Sequence, residues 1–185
     1  MIIVIHGFGS AGKGGKAMLF RKHFKSQGCI APSLSYIPDL AIDTLEQLIE
    51  SSNDKITLVG SSLGGYYAIY LAEKYGLKAV LINPAVDSSK TLKKRVLEMN
   101  GMATNYHDNS QFTWNMNHVE MLKEYSVDEV KNGEYLLLLQ TGDDVLDYKE
   151  AVAKLPNAKM IIEEGGTHPY EGIERHFGTI LDFFK

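Results

Sequence analysis

Along this chain, short and almost wholly apolar runs alternate with longer stretches in which apolar residues recur at helical spacing. The apolar runs are Ile2 to Ile5, Cys29 to Leu34, Ile56 to Val59, Ala79 to Ile82, Tyr135 to Gln140 and Lys159 to Ile162, each bounded by Gly, Pro or charged residues. Their length and lack of alternation predict strands covered on both faces. Helical spacing runs through Lys13 to Gln27, Asp43 to Glu50, Leu63 to Tyr75, Tyr148 to Ala153 and Tyr170 to Phe184. The order predicts βα units: an α/β chain folded as a three-layer α/β/α sandwich around a mostly parallel sheet of about six strands.

One interval breaks the rhythm. Residues from about 85 to 133 separate two predicted strands by far more chain than a single crossover helix needs. Lys90 to Asn100 and His118 to Val130 have helical spacing, and Met99, Met102, Phe112, Trp114, Met116 and Met121 lie in or near them. The prediction is a small helical cap, about 87–131, set over the strand ends of a single domain spanning 1–185. Those aromatic and methionine side chains fit either a packed cap or the wall of an acyl pocket.

Composition narrows the partners. The chain has 185 residues, 44% of them hydrophobic, enough to bury a core without disulfide or structural metal. Lys and Arg number 19 against 23 Asp and Glu, a net charge of -4, which argues against nucleic acid as a partner. The start, Met1 to Gly7, has no basic region, and its apolar run is too short for a signal core or a membrane span. A cytoplasmic protein with no membrane partner is expected. Cys29 is the only cysteine, which excludes an internal disulfide and reads as a buried small apolar residue.

Two glycine motifs compete for the chemistry. Gly7-Phe8-Gly9-Ser10-Ala11-Gly12 follows the first strand with the spacing of a dinucleotide-binding turn. It lacks that motif's later carboxylate, since Ser33-Leu34-Ser35-Tyr36 ends the second strand. A phosphate-binding P-loop fails too, because Gly14 follows Lys13 where a hydroxyl is needed to hold Mg²⁺. Gly60-Ser61-Ser62-Leu63-Gly64 follows a strand and opens a helix, the context in which a G-x-S-x-G turn presents a nucleophilic serine.

In such a fold the acid and the histidine follow the serine on loops after later strands, because parallel strands end at one edge. The fifth strand runs into Thr141-Gly142-Asp143-Asp144, and the sixth into Glu163-Glu164-Gly165-Gly166-Thr167-His168. Asp143, Asp144 and Asp147 are all candidates for the acid. Asp143 is preferred, coming after the flexible Gly142 and ahead of Val145-Leu146, an apolar pair expected to anchor the loop. Asp147 suits the N-cap of the helix beginning at Tyr148, and Asp144 suits a solvated position. His168 is the histidine placed to act as base. His23 and His176 fall in helices where exposed histidines are commonplace, and His107 and His118 do not match a zinc spacing. A tetrahedral oxyanion also needs backbone donors, and the N–H groups of Phe8 and Leu63 occupy the required places in sequence.

The strings Ile5-His6-Gly7-Phe8-Gly9-Ser10, Gly60-Ser61-Ser62-Leu63-Gly64-Gly65-Tyr66-Tyr67-Ala68, Asn83-Pro84-Ala85-Val86, Gln140 to Tyr148 and Glu164 to His168 together resemble the YqiA-like bacterial esterases of the α/β-hydrolase superfamily. The resemblance spans nearly the whole chain and is weakest in the inserted segment. It implies the α/β-hydrolase fold and a cytoplasmic esterase acting on short acyl esters or acyl-CoA thioesters. It also implies that the acid is Asp143. The expected reaction is hydrolysis through an acyl-enzyme on Ser62, with a small acyl ester or thioester as partner and no cofactor or metal. The rival reading is a hydrolase-shaped binding protein without turnover.

Overall fold

The computed structural model describes residues 1–185. Six strands form one parallel sheet in the order β2-β1-β3-β4-β7-β8. They are β1 (Ile2–Ile5), β2 (Cys29–Ile30), β3 (Thr57–Ser62), β4 (Lys78–Pro84), β7 (Glu134–Gln140) and β8 (Lys159–Glu163). Helices α1 (Gly15–His23), α2 (Pro38–Glu50), α3 (Leu63–Tyr75), α6 (Tyr148–Lys154) and α7 (Phe177–Phe184) supply the outer layers. This is the α/β-hydrolase architecture, and no helix is long and apolar enough to cross a membrane.

Alternation along the strands divides the core in two, because successive side chains leave opposite faces of a pleated sheet. Ile3, Ile5, Leu58, Leu81 and Leu137 pack with α2, α3 and α6. Ile2, Val4, Val59, Val80 and Leu138 face the other way, onto α1 and α7. There Phe20 is fully buried, its ring 5.7 Å from Phe24 and 5.1 Å from Phe177 between centroids.

The structure differs from the sequence expectation at several boundaries, each for a local reason. Strand β2 stops at Ile30 rather than Leu34: Pro32 has no N–H to give a ladder, and the Leu34 N–H donates to His6 Nε2 at 3.0 Å. Helix α2 begins at Pro38, not Asp43, with the proline in the first turn where its missing N–H costs nothing. Helix α1 ends at His23, and a short 3-10 turn over Lys25–Gln27 leads into Gly28 at φ 70°.

The segment between β4 and β7 is not wholly helical. Helices α4 (Ser88–Glu98) and α5 (Met116–Glu124) flank an antiparallel hairpin of β5 (Met102–Thr104) and β6 (Gln111–Thr113). Trp114 and Phe112 are buried there, so the segment has packed side chains of its own.

Replacing Phe20 with Ala empties the centre of the layer formed by α1 and α7. It should cost about 3–5 kcal/mol of stability, read from the urea unfolding midpoint. A loss below about 1 kcal/mol would mean that this layer does not pack through Phe20.

Candidate active site

Strand order reverses between β1 and β3: from β1 the chain crosses to β2 on one side, and all later strands build outward on the other. Helices therefore leave the carboxyl ends of β1 and β3 on opposite faces, opening a crevice at the sheet edge. His6 to Gly9 follow β1 and Ser62 ends β3, while the loops after β7 and β8 arrive along the same edge.

Ser62 stands at φ 55°, ψ -123°, a conformation L-residues rarely adopt. The sequence around it removes every obstacle to that turn. A Cβ on Gly64 would fall 2.1 Å from the Ile5 carbonyl oxygen, and one on Gly60 would fall 2.3 Å from the Gly64 oxygen. Only glycine at both positions lets α3 start in contact with β1 and β3. The Ser62 carbonyl accepts from the Ala85 N–H at 3.0 Å, which ties the turn to the end of β4.

The hydroxyl of Ser62 lies 3.0 Å from His168 Nε2. His168 Nδ1 lies 2.8 and 3.0 Å from the two carboxylate oxygens of Asp143. With the Nδ1 proton directed at Asp143, Nε2 is free to accept the serine proton. The Asp143 side chain is 2% exposed and that of His168 20%. Burial by itself pushes the Asp143 carboxyl up, but the bonds from His168 and from the Leu146 and Val145 N–H groups hold it below the usual carboxylate range. Both N–H groups reach Asp143 Oδ1 at 2.8 Å. That carboxylate organises its loop, whereas Val145, expected as an apolar anchor, is 41% exposed. Asp147 accepts from the Lys149 N–H at 3.0 Å as the cap of α6, and Asp144 is exposed.

Two polar residues hold the histidine and acid loops together, and periodicity gave no sign of their roles. Asn83, buried at the end of β4, donates to the carbonyls of Thr167 and His168 at 3.0 and 3.1 Å and accepts from the Gln140 N–H at 3.0 Å. The Gln140 side chain in turn accepts from the Glu171 and Thr167 N–H groups and donates to the Glu171 carbonyl. The available signal was a polar residue at the end of each apolar run. His6 has a similar supporting part: its Nδ1 contacts the Gly7 carbonyl and its Nε2 accepts from Leu34, an arrangement of the neutral ring. Burial lowers its pKa, which favours that form.

Other candidates resolve into structural roles. His176 is buried, not exposed, and its Nε2 meets Glu163 at 3.0 Å beside the Glu163–Arg175 pair. His118 closes a capping box at the start of α5 by accepting from the Asn115 N–H. Cys29, expected as buried, is only half-buried at the edge of the sheet, yet its burial pushes the thiol up to about 11, away from the thiolate a nucleophile needs. A Cβ on Gly12 would lie 2.1 Å from the Ala31 carbonyl oxygen, so that glycine serves the contact with the chain after β2 rather than a pyrophosphate. No group of three or more His, Cys, Asp or Glu side chains is placed to hold a metal ion.

A cleft of about 520 Å³ opens at Ser62 and His168, with Phe8, Leu63, Leu92 and Leu146 among its apolar walls. Leu63 begins α3, so its N–H is one of the helix's orphan donors. The inserted segment buttresses the loop that carries Phe8. The Phe8 ring meets Trp114 and Phe112 edge to face, at 4.8 and 5.5 Å between centroids. The Tyr106 N–H donates to the Gly9 carbonyl at 2.7 Å, and Tyr36 stacks on Phe112.

A strained serine at a strand-to-helix turn, with a histidine and an acid on later loops, defines the site of the α/β-hydrolase fold. Solved structures agree on the architecture. Mouse alpha/beta hydrolase domain-containing protein 10 superposes with a TM-score of 0.75 at 21% identity, covering 98% of this chain and 88% of that one. Est1E from Butyrivibrio proteoclasticus, solved with ferulic acid bound, gives a TM-score of 0.76 at 14% identity, covering 98% and 86%. The chain belongs to the family described as "Uncharacterised protein family (UPF0227)", whose model matches residues 1–185. This is the YqiA-like group that the serine and acid strings resemble. A member from Vibrio parahaemolyticus is 25% identical over 194 residues, covering 99% of this chain and 98% of its own.

Because the folded Asp143 carboxyl titrates below its usual value near ~3.9, its bonds stabilise the fold above that pH and are lost as pH falls through the lower, folded value. Asp143→Asn should therefore reduce stability at neutral pH by about 1–3 kcal/mol. Urea titrations should show the gap to wild type narrowing below about pH 4; a gap independent of pH would show that the charge is not what holds the loop.

Proposed function

We propose that this protein is a serine hydrolase that cleaves carboxylic esters or thioesters through an acyl-enzyme on Ser62. The observation that carries this reading is the continuous hydrogen-bonded line from Ser62 Oγ through His168 to Asp143. A hydroxyl becomes nucleophilic when a neighbouring base takes its proton as the bond to carbon forms. Nε2 of His168 is in position to do so, and Asp143 keeps the imidazole in the tautomer that leaves Nε2 open.

In this mechanism Ser62 Oγ adds to the acyl carbonyl and its proton passes to His168. The Phe8 and Leu63 N–H groups receive the resulting oxyanion. The tetrahedral intermediate collapses, the carbon–oxygen or carbon–sulfur bond breaks, and His168 returns its proton to the departing alcohol or thiol. Water then repeats the sequence on the acyl-enzyme. Every proton is accounted for by His168, so no cofactor enters these steps. Likeness to the YqiA-like esterases supports small acyl esters or acyl-CoA thioesters as the substrates and the cytoplasm as the place of action.

Ser62→Ala should reduce turnover of an aryl ester about a million-fold if the three side chains act as a unit. A variant keeping a tenth of wild-type activity would remove Ser62 from the role of nucleophile.

A further inference from the structure

One side chain in the cleft has no part in the mechanism above. Lys16, in the first turn of α1, lines the same cleft as Ser62 and His168, and its ammonium donates to the Ser61 hydroxyl at 2.7 Å. That bond engages one of the three donors an ammonium carries. No carboxylate pairs with it. Asp143 is close enough for its charge to be felt, but its oxygens are already committed to His168, Val145 and Leu146.

An ammonium partly withdrawn from water without a counter-ion is an unfavourable arrangement, relieved when an anion arrives. The surroundings favour such an anion. The first turn of α1 contains no acidic residue, and Gly14 and Ser10 bring its amino end to the cleft wall, where the helix dipole is positive. Arg95, 3.9 Å from the Glu98 carboxylate, adds a second, partly neutralised cation to the lining, and the one carboxylate there, Asp144, is exposed.

We infer that the substrate of this site is an ester or thioester that carries a negative charge, and that Lys16 holds the charged group while Ser62 attacks the carbonyl. The inference rests on the hydrolase reading and names the substrate class within it. The charge could belong to the acyl part, as in the monoester of a dicarboxylic acid, or to the alcohol part. Both present the same anion to Lys16, and substrates can separate them.

The pH behaviour follows from the same placement. Burial draws the Lys16 ammonium down to about 8, a shift partly opposed by Asp143. The other titratable groups around the cleft are His6, Arg95, Tyr106, Asp144 and His168. Preference for a charged ester should be full below that value and fade as pH rises through it. His168 affects charged and neutral esters alike and so drops out of their ratio.

The test compares kcat/KM for para-nitrophenyl hemiadipate with that for the uncharged hexanoate. A second arm compares a carboxylated nitrophenyl butyrate with plain nitrophenyl butyrate. In at least one arm, Lys16→Met should lower the charged-to-neutral ratio about tenfold or more, and Lys16→Arg should preserve it better. The wild-type ratio should decline from about pH 7 to 9.5, a measurement that needs no variant to fold. Ratios unchanged by Lys16→Met and flat with pH in both arms would overturn the inference while leaving the hydrolase intact. Absence of turnover on every ester, together with no fluorophosphonate adduct on Ser62, would overturn both.

Discussion

The site depends on one unfavourable backbone conformation. A left-handed φ at a serine costs of order 1–3 kcal/mol, and the chain would relax it if neighbouring atoms allowed. They do not: the end of β3 is paired with β1 and β4, the first turn of α3 touches the Ile5 carbonyl, and Ala85 holds the Ser62 oxygen. The strain is sustained by the burial of α3, whose Leu63, Tyr66, Tyr67 and Ala68 all lie in the core. It lifts one hydroxyl out of the sheet edge toward the His168 ring, which arrives on the loop after β8.

Two further pieces of structure reach that hydroxyl by different means. The histidine and acid loops are stitched by polar groups, with Asn83 and Gln140 as common partners, so His168 and Asp143 are positioned together. The loop after β1 is held by apolar contact instead, through the rings of Phe8, Phe112 and Trp114. The inserted segment thus supports the loop that carries Phe8 into the wall of the cleft. A hydrogen-bonded frame fixes the distances between polar groups, while packed aromatic rings hold a loop through apolar contact.

Much of this was legible in the residues. Strands buried on both faces announce themselves as unbroken apolar runs, Ser62 and His168 follow from a turn motif and from where parallel strands must end, and Asp143 is the preferred one of three carboxylates on a single loop. The less legible parts share a cause: they are decided by partners distant in sequence. His176 has an ordinary helical context, and only folding shows that Glu163 lies within 3.0 Å. The hairpin at Met102–Thr104 and Gln111–Thr113 is too short for periodicity to reveal. Lys16 carries no signal in the sequence, because lysine on an amphipathic helix is normally solvated and nothing local indicates that Ser61 and the cleft lie beside it.

The proposed acyl-enzyme on Ser62 is a covalent species and so is open to direct observation. Wild-type protein mixed with an activated ester, quenched in acid during turnover and analysed by peptide mass spectrometry should carry the acyl group on the peptide containing Ser62. Turnover with no acylated peptide, or with the acyl group on any other residue, would contradict it.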